Sequence, residues 1–396
     1  MLWLVSPLNG KARLMVRGRR GLMRRLREAI EPGSRVAWFH AASLGEFEQG
    51  RPVIEAFRAQ HPQYRILLTF FSPSGYEIRK DYPGADWVFY LPIDTPRAAR
   101  RFLRTVNPGV AVFIKYEFWL NLLAALRRSG CRTFLISAIF RPDALFFRRY
   151  GAIYRKALTT YETIFVQKGD SARLLASIGF VNTVEAGDTR FDRVAAIAEA
   201  AAPVEIVERF GEGAKLLVAG STWPQDEALL AEALGGFAQM KLVVVPHEIA
   251  PERIDRLMDI LPGAVRYTQI TPESDLAGAR TLVVDAIGLL AAIYRYAWMA
   301  YIGGGFGVGI HNTLEAATYG IPVAFGPNYR KFREACRMVE EGCALSVATA
   351  GELGLWIGSL HDDRQAYERL CRIAAAYVAS NRGATTAIMQ KIFGEG

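Results

Sequence analysis

The sequence predicts an α/β protein built from two doubly wound parallel sheets, and three observations carry that expectation. Short, nearly continuous apolar runs read as strands buried on both faces, as parallel sheets require. Stretches with helical spacing lie between them, giving the order β, α, β, α and helices on both sides of each sheet. A second series of runs then begins after about residue 200, so the pattern occurs twice. With 396 residues, 51% hydrophobic and 11% aromatic content, the chain can bury two cores.

In the first half the strands are "RVAWFHA" (35–41), "RILLTFF" (65–71), "WVFYLP" (87–92), "VAVFIK" (110–115) and "RTFLISA" (132–138), with helices such as "GRPVIEAFRAQH" and "PRAARRFLRTV" between them. In the second half they are "KLLVAGS" (215–221), "KLVVVPH" (241–247), "AVRYTQ" (264–269), "RTLVVDA" (280–286), "MAYIGG" (299–304) and "IPVAFGP" (321–327). The polar and alanine-rich stretch around 188–210 reads as the connector. The expected divisions are a basic amphipathic segment over 1–34, a first domain over 35–200, a second over 201–375, and a C-terminal helix over 376–396 that packs back towards the first domain.

A formal charge of +9 calls for an anionic partner: nucleic acid, a phosphorylated substrate or an anionic membrane. Residues 11–27, "KARLMVRGRRGLMRRLR", put Arg17, Arg20 and Arg24 among leucines and methionines. Such a segment can be a solvated helix face, a nucleic-acid contact, or a membrane-surface helix with its apolar side among anionic headgroups. The preceding "MLWLVSPL" is too short to cross a bilayer, which takes about 20 residues. A second basic stretch, 140–156, sets Arg148 and Arg149 beside Phe140, Phe146, Phe147, Tyr150 and Tyr154. Four cysteines and five histidines show no disulfide framework and no zinc-ligand spacing, so no metal is expected.

Ligands of open parallel sheets bind beyond the carboxyl ends of the strands. "WFHAASLGEFEQG" (38–50) puts Glu46 just past one such end, where it is either a carboxylate favouring a helix start or a catalytic base. Ser43 and Gly45 flank it, and "IKYEFWLNLL" adds Lys115 and Glu117, an ion pair or site residues. "GGGFGVGIHNTLE" (303–315) allows close backbone approach at Gly304 and Gly305 and leads to a helix expected to begin near His311, with its N–H groups free for a phosphate. Asn312 and Glu315, three apart, share a face and suit ribose hydroxyls. Ser221 and Thr222 either contact a phosphate or cap a helix, and His247 either donates to an anion or packs in a loop.

Taken in order, "WFHAASLGEFEQGRPVIEAF", "FSPSGYE", "YLPIDTPRAARRFLRTVNPGVAVFIKYEFWLNLL", "GDTRFDRV", "AGSTWPQDE", "DAIGLLAAIYRYAWMAYIGGGFGVGIHNTLEAATYGIPVAFGP" and "NRGA" resemble the bacterial 3-deoxy-D-manno-octulosonic acid (Kdo) transferases over roughly residues 35–385. The resemblance implies a GT-B glycosyltransferase with two Rossmann-like domains facing across a cleft. It implies transfer of Kdo from CMP-Kdo to a lipid A precursor, with inversion, without metal or other cofactor, at the cytoplasmic face of the inner membrane. Glu46 would be the general base, with Ser43, Gly45, Lys115 and Glu117 towards the acceptor. Ser221, Thr222, His247, Gly304, Gly305, His311, Asn312 and Glu315 would hold CMP-Kdo. Arg17, Arg20, Arg24, Arg148 and Arg149 would meet the membrane.

Two departures stand out. The family's Gly-Gly-His-Asn reads Gly309-Ile310-His311-Asn312, and its Pro-Arg-His turn reads Pro246-His247-Glu248, without the arginine expected to face the phosphate. His247 or Arg190 would have to replace it. A nucleotide-sugar epimerase or a lipid A disaccharide synthase would keep the same fold, and a nucleic-acid binder would explain the charge alone.

Overall fold

The apolar runs form strands because β-branched and aromatic side chains suit a sheet covered on both faces, and with three shorter strands they number fourteen among the described residues. In the computed structural model, which describes residues 9–307 and 309–394, they make two seven-stranded sheets, and every strand pairing is parallel. The chain divides into two compact units, residues 1–193 with 382–396, and residues 194–381.

The first unit holds β1 (Val36–Ala41), β2 (Arg65–Phe70), β3 (Trp87–Tyr90), β4 (Pro108–Ile114), β5 (Arg132–Ala138), β6 (Thr163–Val166) and β7 (Thr183–Glu185) in the order β3-β2-β1-β4-β5-β6-β7. The order reverses between β1 and β4, so a crevice opens beyond their carboxyl ends. One side of the sheet is filled by Trp38, Phe102 and Phe113, the other by Phe39, Phe57 and Phe134. Trp38 stacks edge-on against Phe102 and Phe113 at 4.9 and 5.0 Å and donates its indole N–H to the Thr69 hydroxyl at 2.8 Å. Its one polar atom is thereby satisfied in the core.

The second unit holds β8 (Lys215–Thr222), β9 (Met240–Pro246), β10 (Val265–Arg266), β11 (Thr281–Val283), β12 (Met299–Ile302), β13 (Val323–Phe325) and β14 (Ala344–Ser346) in the order β10-β11-β9-β8-β12-β13-β14. Its reversal lies between β8 and β12. Three of the four non-glycine residues with positive φ sit at strand ends: Lys115 (74°) after β4, Ser137 (55°) in β5 and Ser221 (53°) in β8. Such conformations cost roughly 1–3 kcal/mol each and persist where the surroundings enforce them, often at functional edges.

Several expectations are corrected. β6, β7 and β14 were not expected, being only three or four residues long, and the expected strand 264–269 shrinks to β10 followed by a 3-10 turn, Tyr267–Gln269. The expected connector 188–210 is mostly helical, Thr189–Ala200 and Glu205–Gly211, because its alanines favour helix over loop. The units divide at 193/194 and 381/382, not at 200/201 and 375/376, since helix Arg364–Ser380 stays with the second unit. After Gly383 (φ 105°), helix Ala384–Phe393 returns to the first unit and buries Ile388, Met389 and Ile392. Asp192 accepts from the Gly383 and Thr385 amides at 2.6 and 2.7 Å, capping that helix's start.

The basic segment forms helices Gly10–Arg19 and Leu22–Ala29, broken at Gly21 (φ 64°). Their apolar residues Ala12, Val16, Leu22 and Leu26 are buried in the first unit. These four side chains therefore face the protein core and not headgroups, while Leu14 is 39% exposed; the residues before Asn9 lie outside the described residues. Arg19 is half-buried, donating to the carbonyls of Met15, Phe71 and Leu91 at 2.8–3.0 Å with its guanidinium over Phe71 and Tyr90. Desolvation brings its pKa down to about 10. Arg17, Arg20 and Arg24 remain exposed. Among the described residues no helix is long and apolar enough to cross a membrane.

Candidate active site

Beyond β1 the chain turns at Ser43 into helix Leu44–Gln60, and Glu46 is that helix's third residue. Its Oε2 accepts from the Ser43 amide and hydroxyl, both at 2.9 Å, a capping box. Gly50, on the same helix, lies against Ile114, and a Cβ there would collide with that side chain, so the glycine lets the helix sit close on β4. Glu48 and Glu55 tie it further to Arg79 and Arg193. The base candidate thus stands on a rigid support.

Lys115 and Glu117 follow β4, the strand next to β1 across the reversal. Burial, and then the negative charge of Glu117, push the Glu46 carboxyl above the usual carboxylate range; the Ser43 hydrogen bonds and the Lys115 ammonium pull it back. A raised proton affinity is what a general base working near neutrality needs.

Glu117 itself is 3% exposed, which corrects its expected place among acceptor contacts. Its Oε2 faces His40 Nε2 at 2.8 Å and accepts the Trp119 indole N–H. His40, fully buried in β1, sets Nδ1 against the Thr69 carbonyl at 3.0 Å. Nδ1 also lies 2.9 Å from the Thr69 hydroxyl, and the Trp119 indole N–H reaches His40 Nε2 at 3.1 Å. His40, Thr69 and Trp119 were invisible as a group in the sequence. A histidine ending an apolar strand was the one available signal.

In the second unit, β8 runs into helix Pro224–Leu234. Thr222 is buried and donates to Glu227 at 2.8 Å, while Glu227 pairs with Arg253, so Thr222 serves the fold and not a donor. Ser221, with its strained backbone, stays partly exposed. Asp226 accepts from the amides of Trp223 and Gly304 and from the Tyr301 hydroxyl, all at 2.9 Å. Burial raises its pKa and those three bonds oppose the rise.

Of the five glycine amides in the turn after β12, four are committed within the second unit. Gly304 N–H is spent on Asp226, Gly303 N–H goes to Gly220, Gly307 and Gly309 N–H both go to the Gly304 carbonyl, and His311 N–H goes to Gly303. Gly304 adopts φ 92°, and Gly305 presses on the Gly326 backbone where a Cβ would clash. These glycines are needed for shape. The following helix is a single turn, Leu314–Ala317, shorter and later than expected. Asn312 does meet Glu315, donating to Oε1 at 2.9 Å, while its own oxygen caps Leu314.

A cavity of about 430 Å³ opens here, lined by Trp223, Pro224, Gln225, Asp226, Gly304, Phe306 and Gly307. Its wall residue Trp223 stacks on His247 (4.9 Å), which stacks on His311 (4.5 Å). Arg190, in the first unit, is occupied by Asp188, donating from both Nε and an Nη nitrogen.

Residues 15–193 match the family model described as 3-deoxy-D-manno-octulosonic-acid transferase (kdotransferase). The 3-deoxy-D-manno-octulosonic acid transferase of Bordetella pertussis is 28% identical over 376 residues, covering 90% of this chain and 86% of that protein. The transferase of the same name from Chlamydia muridarum is 27% identical, covering 74% and 70%. Among solved structures, UDP-GlcNAc 2-epimerase from Neisseria meningitidis superposes with a TM-score of 0.63 at 14% identity, covering 91% of this chain and all of that one, a likeness of fold. Two parallel seven-stranded sheets give the chain the GT-B architecture, and it is similar to the 3-deoxy-D-manno-octulosonic-acid transferases, by the family model over residues 15–193 and by the Bordetella pertussis enzyme over most of its length.

Proposed function

We propose that the protein transfers Kdo from CMP-Kdo to a lipid A precursor, with Glu46 as general base. The observation that carries this reading is Glu46 at the first unit's strand-order reversal, its carboxyl raised by burial and Glu117 and restrained by Lys115. The acceptor hydroxyl passes its proton to Glu46 as its oxygen bonds to the anomeric carbon; the bond from that carbon to the phosphate oxygen breaks, and its electron pair leaves with CMP. Attack from the face opposite the phosphate inverts the centre. The cavity beside Trp223 takes the nucleotide, with the Asn312–Glu315 pair for ribose hydroxyls.

The reaction in this reading needs no metal, and the enzyme works at the cytoplasmic face of the bacterial inner membrane. Exposed Arg17, Arg20, Arg24, Arg148 and Arg149 support the membrane attachment, together with Leu145, Tyr150 and Ile153, which are 43%, 72% and 59% exposed. Charge beside exposed aromatic and aliphatic side chains suits an anionic lipid surface.

The test is incubation with CMP-Kdo, generated in situ, and a tetra-acylated lipid A precursor, with products read by mass. Transfer of Kdo that persists in excess chelator is expected. Epimerisation of a UDP-sugar with CMP-Kdo left untouched would overturn the reading.

A further inference from the structure

Helix Gly10–Arg19 is pressed onto the carboxyl end of β3 by its last two residues. Gly18 lies so close to Tyr90 that a Cβ would collide with the ring, and Arg19 follows with its guanidinium over Tyr90 and Phe71 at 4.8 and 5.0 Å. The same guanidinium donates Nε to the Leu91 carbonyl at 2.8 Å, one Nη to the Phe71 carbonyl at 2.9 Å and the other to the Met15 carbonyl at 3.0 Å. Phe71 is the first residue after β2 and Leu91 the first after β3, so one side chain joins two neighbouring strand ends to the helix. A planar fork with donors fixed in direction can do this; a lysine ammonium, a single point on a flexible stem, cannot reproduce it.

The segment held in this way leads to the base by two routes. The Ser72 N–H donates to the Ala42 carbonyl at 2.8 Å, and Ala42 precedes Ser43, whose amide and hydroxyl hold Glu46. On the other side the Phe71 ring packs on the Trp119 indole at 4.7 Å. That indole N–H reaches Glu117 Oε2, and Glu117 is the carboxylate whose charge acts on Glu46. Phe71 and Trp119 are only half-buried. Half-buried rings keep one rotamer only while their neighbours hold them, and Arg19 is the neighbour that grips Phe71 by both its carbonyl and its ring.

We infer that Arg19 is a positioning residue for the base: through Phe71 and Ser72 it fixes both the turn that carries Glu46 and the Trp119 indole on Glu117. It acts through these neighbours and not on the substrate. The N-terminal helix thereby serves the chemistry as well as the core. This inference rests on the reading of Glu46 as general base in Kdo transfer.

Steady-state kinetics of Kdo transfer by the full chain test it, with circular dichroism and CMP affinity as checks that each variant is folded. In Arg19→Met kcat should fall by roughly 10–100-fold, the scale of a small misplacement of reacting groups, while the KM for CMP-Kdo stays within about twofold. Arg19→Lys should not restore it. Phe71→Leu keeps the carbonyl that Arg19 uses and removes only the ring; it should lower kcat by about tenfold, and Phe71→Tyr should recover it. The double variant Arg19→Met with Phe71→Leu should be about as slow as Arg19→Met alone, because both changes break one connection. Losses that multiply in the double variant, normal kcat in Phe71→Leu, or a defect in KM alone overturn the inference and leave the Kdo reading standing. If Arg19→Met does not fold, the Phe71→Leu and Phe71→Tyr pair decides. An unaltered protein that transfers no Kdo and epimerises a UDP-sugar instead overturns both.

Discussion

Glu46 does two jobs that pull its proton in opposite directions. As a capping residue it accepts from Ser43 and gains from being ionised; as a half-buried carboxylate near Glu117 it resists ionisation, and the second influence is the larger. A raised folded-state pKa means that the stability contributed by the protonated form is fully present below the unfolded value and is lost as pH rises through the folded value. Glu46→Gln keeps the capping geometry and removes that loss. It should unfold slightly later than the parent at pH 8, by a few tenths of a kcal/mol because water screens a half-exposed group, with the difference vanishing below about pH 4. Turnover should fall by roughly 10²–10⁴-fold. Glu117→Gln should shift the acid limb of kcat/KM to lower pH, since the charge that raises Glu46 is gone. A mutant at Glu46 with normal turnover, or an acid limb unmoved at Glu117, would refute these roles.

The position of Glu46 is legible from sequence because a strand end, a serine and a glycine announce the turn. Thr222 is not, because a hydroxyl past a strand looks the same whether it meets water or the buried Glu227. Gly304 misleads in the same way: a glycine that admits phosphate and one whose amide serves Asp226 carry the same letter. Partners distant in sequence decide these cases, as with His40 and Glu117, 77 residues apart.

Among the elements, the two N-terminal helices show how an amphipathic pattern can point to the wrong solvent. The alternation of arginines and leucines is real, and a helix wheel cannot tell a membrane from a protein core. Here the apolar side belongs to the core: Leu26 has no exposure and shares a cluster with Trp38 and Phe102. Leu26→Ala should therefore cost about 2–5 kcal/mol in denaturant unfolding without any lipid present. A change near zero would return that face to the membrane. The long strands were legible because their runs are continuous, whereas β7 and β14, three residues each, lie below what periodicity can detect.

For the molecule as a whole, the formal charge of +9 has its use at a surface and not in the sheets. If Arg148 and Arg149, with Tyr150 and Ile153 beside them, meet anionic lipid, each arginine is worth about 1 kcal/mol. The double change Arg148→Glu and Arg149→Glu should reduce cosedimentation with phosphatidylglycerol vesicles by at least tenfold, and raised salt should weaken the parent's binding likewise. Equal binding to neutral vesicles would count against this surface.

Helix Ala384–Phe393, which completes the first unit's core, has a consequence in time. On the ribosome residues 36–193 emerge first, yet Ile388, Met389 and Ile392 follow only after the whole second unit has been made. At about 5–20 residues per second the wait is roughly ten to forty seconds. Through that interval Phe57 and His61 lack Phe393, which packs on their rings at 4.8 and 4.9 Å, while the uninterrupted second unit can already close. The last-begun half is the first that can be finished, and the nascent first unit presents a sticky face that invites a chaperone.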